Sequence, residues 1–317
     1  MKMVQNEKPD EKYAKLILDT PPHYDLVKSI HAWIYPDVQP VPEATENRKL
    51  HRILTLNGIN VPVTISQAKS GSHVEIQFPT NIDTQKIQQK VRFTLGFDVD
   101  TNNAIERIRE DNHICYLAEE MASLRPYTAD TPFEGLAKSI LQQQISFRAA
   151  NVITRRVVLE TCSPLQAWGT AYYGFPAPHD ILALGSEGLR RLGVGYKTDY
   201  LLGVSSLVVS GELNLEELKN AQHNQVVERL HSIRGIGDWT IKAFAISSLH
   251  DFSVFPYGDL GIRNLLGRLY TEDAPMKTRD VEEFISRWGS PAPLVLYLLM
   301  CADVLGLVEC SERSKKP

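Results

Sequence analysis

The chain has 317 residues, 43% of them hydrophobic and 23% charged, a composition that fits a globular protein with room for two domains or three small ones. No apolar run reaches the roughly 20 residues of a bilayer span, and the charged start from Met1 to Tyr13 lacks the apolar core of a secretory signal, so a membrane-free, intracellular protein is expected. The net charge of −4 does not advertise nucleic-acid binding, and Cys115, Cys162, Cys301 and Cys310 form no C-x2-C pair that would mark a zinc or iron–sulfur site.

In chain order, residues 15–18 predict a short strand. Pro21-Pro22 breaks the chain, and a helix is expected to start in Tyr24-Asp25-Leu26-Val27. Residues 50–56 and 61–65 read as strands around Asn57-Gly58-Ile59-Asn60, in which Asn-Gly is a strong hairpin signal. Residues 73–78 alternate polar and apolar as a third strand, and 84–97 read as a helix. Beyond about Asp100 the texture becomes almost wholly helical, with segments at 103–122, 133–160, 187–193, 198–210, 215–221 and 226–233. Pro126, Pro164, Pro176-Ala177-Pro178, Gly193-Val194-Gly195 and Gly211 separate them. The expected division is an N-terminal α/β domain over residues 1–100 and a helical core over 101–317, with the polar tail from Ser311 frayed. There is no internal repeat.

The most informative stretch begins at Val226. An amphipathic helix runs into Arg234-Gly235-Ile236-Gly237, and a new helix starts at Asp238. Two glycines around one aliphatic residue allow a tight turn that exposes successive N–H groups at the second helix's start. Those donors and the helix dipole suit one phosphate oxygen, with Ile236 anchoring the turn in the core. Taken alone, the pattern favours a C-cap glycine between two packed helices. Twenty-two residues past Gly237, however, Pro256 and Gly258 break the chain and Asp259 falls where the next helix should begin. As a plain N-cap it would satisfy free N–H groups. Facing DNA, it could stabilise the positive charge that develops on deoxyribose as a base leaves, or orient the attacking water.

At these residues the chain resembles a known family. Ile233-Arg234-Gly235-Ile236-Gly237-Asp238-Trp239-Thr240 and Phe255-Pro256-Tyr257-Gly258-Asp259-Leu260-Gly261-Ile262-Arg263 look like the helix-hairpin-helix (HhH-GPD) DNA glycosylase superfamily, nearest its bacterial 3-methyladenine DNA glycosylase II branch. Upstream, Leu136 to Ser146 resembles the family's helix and minor-groove loop. Leu189-Arg190-Arg191-Leu192-Gly193 and Tyr196 to Leu201 resemble its middle helices, and Pro21 to Leu26 its small α/β domain.

The resemblance implies a mainly α fold with an N-terminal α+β domain, its helical core forming two lobes that flank a DNA cleft. It assigns catalysis to Asp259 and phosphate binding to the hairpin amides at Gly235, Gly237 and Thr240. It places Gln142, Gln143 and Gln144 in the loop that enters the minor groove, with Gln144 as the wedge; a polar helix end is the alternative. It assigns a structural sodium or potassium ion to the backbone carbonyls of His231, Ile233 and Ile236, and no cofactor to catalysis. Trp239 stands where bifunctional relatives carry a lysine that forms a Schiff base with the sugar. Its indole could stack on a cationic base or simply pack the hairpin. Ala243, beside Phe244, replaces a pocket tyrosine of that branch, and Met300 a pocket tryptophan, so Trp239, Phe244 and Met300 are expected around the base.

The expected function is thus monofunctional base excision: a damaged, alkylated base is flipped out and its N-glycosidic bond hydrolysed. The expected partner is damaged double-stranded DNA, bound by a monomer without membrane attachment. The expected compartment is cytoplasmic, at the nucleoid in a bacterium, or nuclear in a eukaryote. The alternatives are a bifunctional 8-oxoguanine glycosylase/lyase, with Lys242 as the nearest amine, and a non-catalytic helix-hairpin-helix DNA-binding protein.

Overall fold

The alternation read along residues 73–78 becomes a strand with one face fully covered in the computed structural model, which describes residues 13–271 and 274–308. The readings of the charged start, of the tail from Ser311 and of Cys310 lie outside the described residues, apart from Tyr13. Five antiparallel strands form a sheet in the order β1-β5-β4-β3-β2: β1 (Tyr13–Asp19), β2 (Ala44–Glu46), β3 (Lys49–Leu56), β4 (Ile59–Gln67) and β5 (His73–Pro79). Asn57 and Gly58 alone make the β3–β4 turn, at φ of 50° and 79°, the left-handed pair that matches strand twist; Ile59 and Asn60 already belong to β4. One sheet face packs Leu50, Leu54, Ile65, Ile76 and Phe78 against helices α1 (Leu26–His31) and α2 (Thr84–Thr94). Asp25 caps α1 where a helix start was expected, its side chain accepting from the Lys28 N–H at 2.9 Å.

Among the described residues, the remainder is helical apart from one hairpin. Its helices are α3 (Asn102–Glu110), α4 (Ala118–Ala122), α5 (Pro132–Gln142), α6 (Phe147–Thr161), α7 (Pro178–Arg191), α8 (Thr198–Val209), α9 (His223–His231), α10 (Asp238–Leu249), α11 (Leu260–Tyr270), α12 (Thr278–Ile285) and α13 (Ala292–Val304). Four readings change. The segment 187–193 is the end of a longer helix, α7, that starts at Pro178. The segment 103–122 is two helices, because Asp111 to Ile114 turns the chain instead of continuing it. The segment 133–160 is broken at 143–146, where Ser146 caps α6 through the Ala149 N–H. Residues 215–221 hold a 3₁₀ turn. The hairpin β6 (Leu165–Ala167) and β7 (Thr170–Tyr172) has no counterpart in the sequence reading, and it lies against β3, where the Ile53 N–H donates to Tyr173 O at 2.7 Å.

Two helical cores result. One gathers α3, α4 and α11–α13 around residues such as Ile108, Leu266 and Val295; the other gathers α5–α10 around Leu136, Leu201, Leu230 and Phe244. Helix α10 contributes to both. A buried ion cluster fastens α5 to the sheet. The Arg52 guanidinium donates to Glu43 (2.8 Å), Glu134 (2.9 Å) and the Tyr127 hydroxyl (2.5 Å), and Lys138 reaches Glu134 at 2.6 Å. Burial alone would push the Glu134 carboxyl up, but the Arg52 and Lys138 charges hold it down at about 2. Removing one partner of such a buried pair typically costs about 3–5 kcal/mol, so α5, which carries the glutamine loop, is rigidly placed. Among the described residues no helix is long and apolar enough to cross a membrane.

Candidate nucleic-acid interface and active site

The two lobes enclose a cleft of about 1480 Å³, lined by the hairpin, the α11 start, the glutamine loop and α13. The hairpin forms as its glycines require. Gly235 sits at φ 86°, and a Cβ there would fall inside the Tyr200 ring, so this position needs glycine twice over. The Ile236 N–H closes the turn on Ile233 O at 3.0 Å, and the Ile236 side chain is buried in the second core, anchoring the turn. Gly237, at the N-cap of α10, offers no side-chain cap, and a Cβ on it would meet nothing within 4 Å. The first N–H groups of α10 therefore open toward space a phosphate oxygen can enter.

Asp259 begins α11. The Asp259 N–H turns back onto Pro256 O at 2.9 Å, and the buried Phe255 ring pins this turn. Both carboxylate oxygens are engaged. Oδ1 accepts from the Gly261 and Ile262 N–H groups at 2.8 and 3.2 Å, and Oδ2 accepts from the Trp239 indole N–H at 2.8 Å. Two motifs twenty residues apart thus meet in one hydrogen bond, and the N-cap role and a cleft-facing role coexist on one side chain. The indole is half-buried on the cleft wall, and its N–H is spent on Asp259.

Gln142, Gln143 and Gln144 all line the cleft. Gln144 is exposed, at the left-handed φ of 57°, and forms the apex of the loop between α5 and α6. Gln143 turns inward, its amide N–H groups donating to Gly235 O at 2.8 Å and Thr240 Oγ1 at 2.9 Å. The Thr240 side chain is buried as the acceptor of Gln143, and its backbone amide, the group expected at the phosphate, lies in the first turn of α10. His231, Ile233 and Ile236 line the cleft as well. Among the described residues no group of three or more His, Cys, Asp or Glu side chains could hold a metal. A cation at the hairpin would rest on neutral carbonyl oxygens, a donor set that suits a hard, singly charged ion.

Met300 lines the cleft from α13, as expected; Phe244 does not. It is fully buried in the second core, because five residues along a helix turn it about 140° from Trp239, whereas Ala243, about 40° away, faces the cleft. Lys242 is likewise off the cleft wall, paired with Asp238 at 2.9 Å and lying 6.0 Å from the Tyr257 ring centroid. The lysine that does line the cleft, Lys138, is committed to Glu134 and Glu43. The sequence reading missed the aromatic walls. Trp33 and Tyr35, from the chain after α1, face Phe147 of α6, and the Trp33 indole donates to the Tyr297 hydroxyl of α13. An aromatic pair just past a short amphipathic helix was the available signal, but only tertiary packing carries it to the cleft.

The model of the HhH-GPD superfamily of base excision DNA repair proteins matches residues 137–291, the stretch holding the glutamine loop, the hairpin and Asp259. Over this stretch the chain is similar to that superfamily. Among relatives of this chain, a putative DNA-3-methyladenine glycosylase of Bacillus subtilis is 30% identical over 147 residues, 45% of this chain and 49% of the relative. DNA-3-methyladenine glycosylase 1 of Schizosaccharomyces pombe is 33% identical over 135 residues, 42% and 55% of the two chains. The chain therefore spans about half the length of these two curated relatives. A solved 3-methyladenine DNA-glycosylase from Archaeoglobus fulgidus superposes with a TM-score of 0.79 at 27% identity, covering 91% of this chain and 98% of its own. The likeness to that structure extends through the N-terminal sheet as well as the helical lobes.

Proposed function

We propose that this protein is a monofunctional DNA glycosylase of base excision repair that excises alkylated bases from double-stranded DNA. The observation that carries the reading is the Trp239–Asp259 hydrogen bond, which holds a carboxylate beside the phosphate-binding turn before any substrate arrives. In this reading Gly235 and Gly237 bring the α10 amides up to one backbone phosphate, and Gln144 fills the gap left by the flipped base. The base enters between the cleft's aromatic walls. As the C1′–N bond breaks, its electron pair leaves with the base, and positive charge on the sugar is opposed by Asp259. A water then adds its oxygen to C1′ and gives up a proton to Asp259, a carboxylate on the cleft wall. A sodium or potassium ion on the carbonyls of His231, Ile233 and Ile236 would stiffen the turn and add positive charge near the phosphate.

The protein acts as a monomer, in the compartment that holds DNA, and catalysis uses no cofactor. With Lys242 off the cleft wall and Lys138 paired to two glutamates, no free amine faces the reacting sugar among the described residues, which favours hydrolysis over the glycosylase/lyase alternative. The test is purified protein on an alkylated and on an undamaged duplex, scored for abasic sites. Abasic sites confined to the alkylated duplex support the reading. Tight binding with no base release would leave a DNA-binding protein without catalysis.

A further inference from the structure

The loop that would enter the groove and the hairpin that would grip the phosphate are joined by a single side chain. Gln143 ends α5 as its C-cap, one residue before the exposed Gln144 apex. A carbonyl accepts only from a donor, so the bond to Gly235 O fixes the amide orientation, and the same nitrogen reaches Thr240 Oγ1. A second tie backs the first. Lys197 is 2% exposed, and its ammonium donates to Leu141 O at 2.5 Å and Gln143 O at 3.3 Å, satisfying carbonyls at the end of α5. Three residues on, Tyr200 lays its ring over Gly235. The segment from Lys197 to Tyr200 therefore supports both the loop and the hairpin.

We propose that Gln143 is a positioning residue rather than a DNA contact: its amide locks the loop to the hairpin, so that grip on the phosphate and insertion of Gln144 occur as one rigid movement. This rests on the glycosylase reading for its consequence, but the tie itself is a property of the DNA-free protein. To touch DNA through its amide N–H groups, Gln143 would have to abandon two internal bonds, one of them to a buried hydroxyl. A free loop could sample shallow insertion while the hairpin is bound. A tied loop enters only at the depth the hairpin sets, which makes the register of the wedge a function of phosphate position.

The test uses Gln143→Met, which keeps length but has no donor, and Gln143→Glu, which sets a carboxylate against Gly235 O. In DNA-free protein, hydrogen exchange of the amides at 142–146 and 234–240 should quicken together in both variants, with the amides of α13 unchanged. Single-turnover base release from an alkylated duplex should fall on the order of tenfold, the scale of two neutral hydrogen bonds lost. Release from a bulge that already holds the base outside the stack should change less than about twofold, and affinity for undamaged duplex should hold within about twofold, because neither depends on timed insertion. Unchanged exchange in both segments would overturn the tie. Equal losses in undamaged-duplex affinity and turnover would make Gln143 a direct DNA contact. A wild type that releases no base from any substrate would sink the glycosylase reading, while the exchange result still decides the tie.

Discussion

Replacing Asp259 with Asn isolates charge from shape, and the structure sets what each should cost. Asn caps a helix about as well as Asp, so the bonds from Gly261 and Ile262 to Oδ1 can survive. The other oxygen cannot be replaced so quietly. With Oδ1 kept on the cap, the new amide nitrogen faces the Trp239 N–H at what is now a 2.8 Å acceptor distance, donor against donor. Leaving that half-buried indole unpaired costs about 1–3 kcal/mol, and losing the charge at the start of α11 about 0.3–1 kcal/mol more. Rotating the amide spares the indole but sacrifices the cap, at a similar price. The variant should therefore be weakened and remain folded. Its catalytic loss is larger: removing one group that stabilises transition-state charge lowers turnover typically about 10²–10³-fold. Damaged-duplex affinity should be nearly unchanged, because the charge matters most once the sugar turns cationic.

The assay is single-turnover base release, read after alkali converts abasic sites to breaks, beside a binding isotherm and a thermal melt. Trp239→Phe is the control. It removes the donor, keeps a ring on the cleft wall and leaves Asp259 charged, so it should lose on the order of tenfold, less than Asp259→Asn. Turnover within tenfold of wild type in folded Asp259→Asn would refute the catalytic assignment. Equal losses in the two variants would place the effect in the tryptophan.

Gly237→Val should fold, because a Cβ at that position meets nothing within 4 Å and its φ of −99° suits any residue, yet it should weaken binding to damaged and undamaged duplex alike. A loss confined to damaged DNA would show that the turn does not hold a phosphate. Gln144→Ala should slow base release more on duplex than on single-stranded substrate, and equal slowing on both would count against a wedge. Borohydride should trap no protein–DNA crosslink, and strands should break only after alkali; a trapped complex lost in Lys242→Gln or Lys138→Gln would reverse the hydrolytic reading. For acid stability the group to watch is His250, which burial pushes down to about 4 while its ring nitrogen meets Pro126 O. The unfolded state then binds the extra proton first, so stability should fall by about 3 kcal/mol as pH drops from 6.5 toward 4. Asn tolerates the left-handed φ of 55° at this site, so His250→Asn should show a shallower decline in urea midpoints across that window. Parallel declines would discard the assignment.

What was legible in the sequence was local. The hairpin announces itself through Gly235 and Gly237, Asp259 through the break at Pro256 and Gly258, and β3–β4 through Asn57-Gly58. Each is a backbone requirement met within a few residues. The β6–β7 pair was not legible, because three-residue strands are too short to show alternation and the left-handed turn position at φ 49° is taken by Trp168, not a usual turn residue. Phe244 was misplaced although the means to place it were present: five residues from Trp239 is the opposite side of a helix. The aromatic walls lay beyond local reasoning, since Trp33 and Tyr297 are separated by more than half the chain yet share a hydrogen bond. The inward turn of Gln143 lay beyond it as well, because nothing in a run of three glutamines says which one faces the protein.

The residue at 239 connects the negative net charge to the chemistry. A protein of net charge −4 gains little from overall attraction to DNA, so in the proposed reading placed backbone donors carry the phosphate contact and the turn must be formed before DNA arrives. The same economy governs the carboxylate. Two α11 amides occupy both lone pairs of Asp259 Oδ1 and one indole occupies one of Oδ2, which keeps its other lone pair for the cleft. A lysine at 239 would offer a nucleophile to the sugar; the indole offers only a donor, and it spends that donor on orienting the acid. In the proposed hydrolytic reading, the indole that stands in place of a lysine is thus also the group that fixes where the acid points. This is the arrangement expected of a site that opposes charge on the sugar and leaves the attack to water. Turnover in such a site should depend on the geometry of the Trp239–Asp259 pair more steeply than on the number of cations lining the cleft.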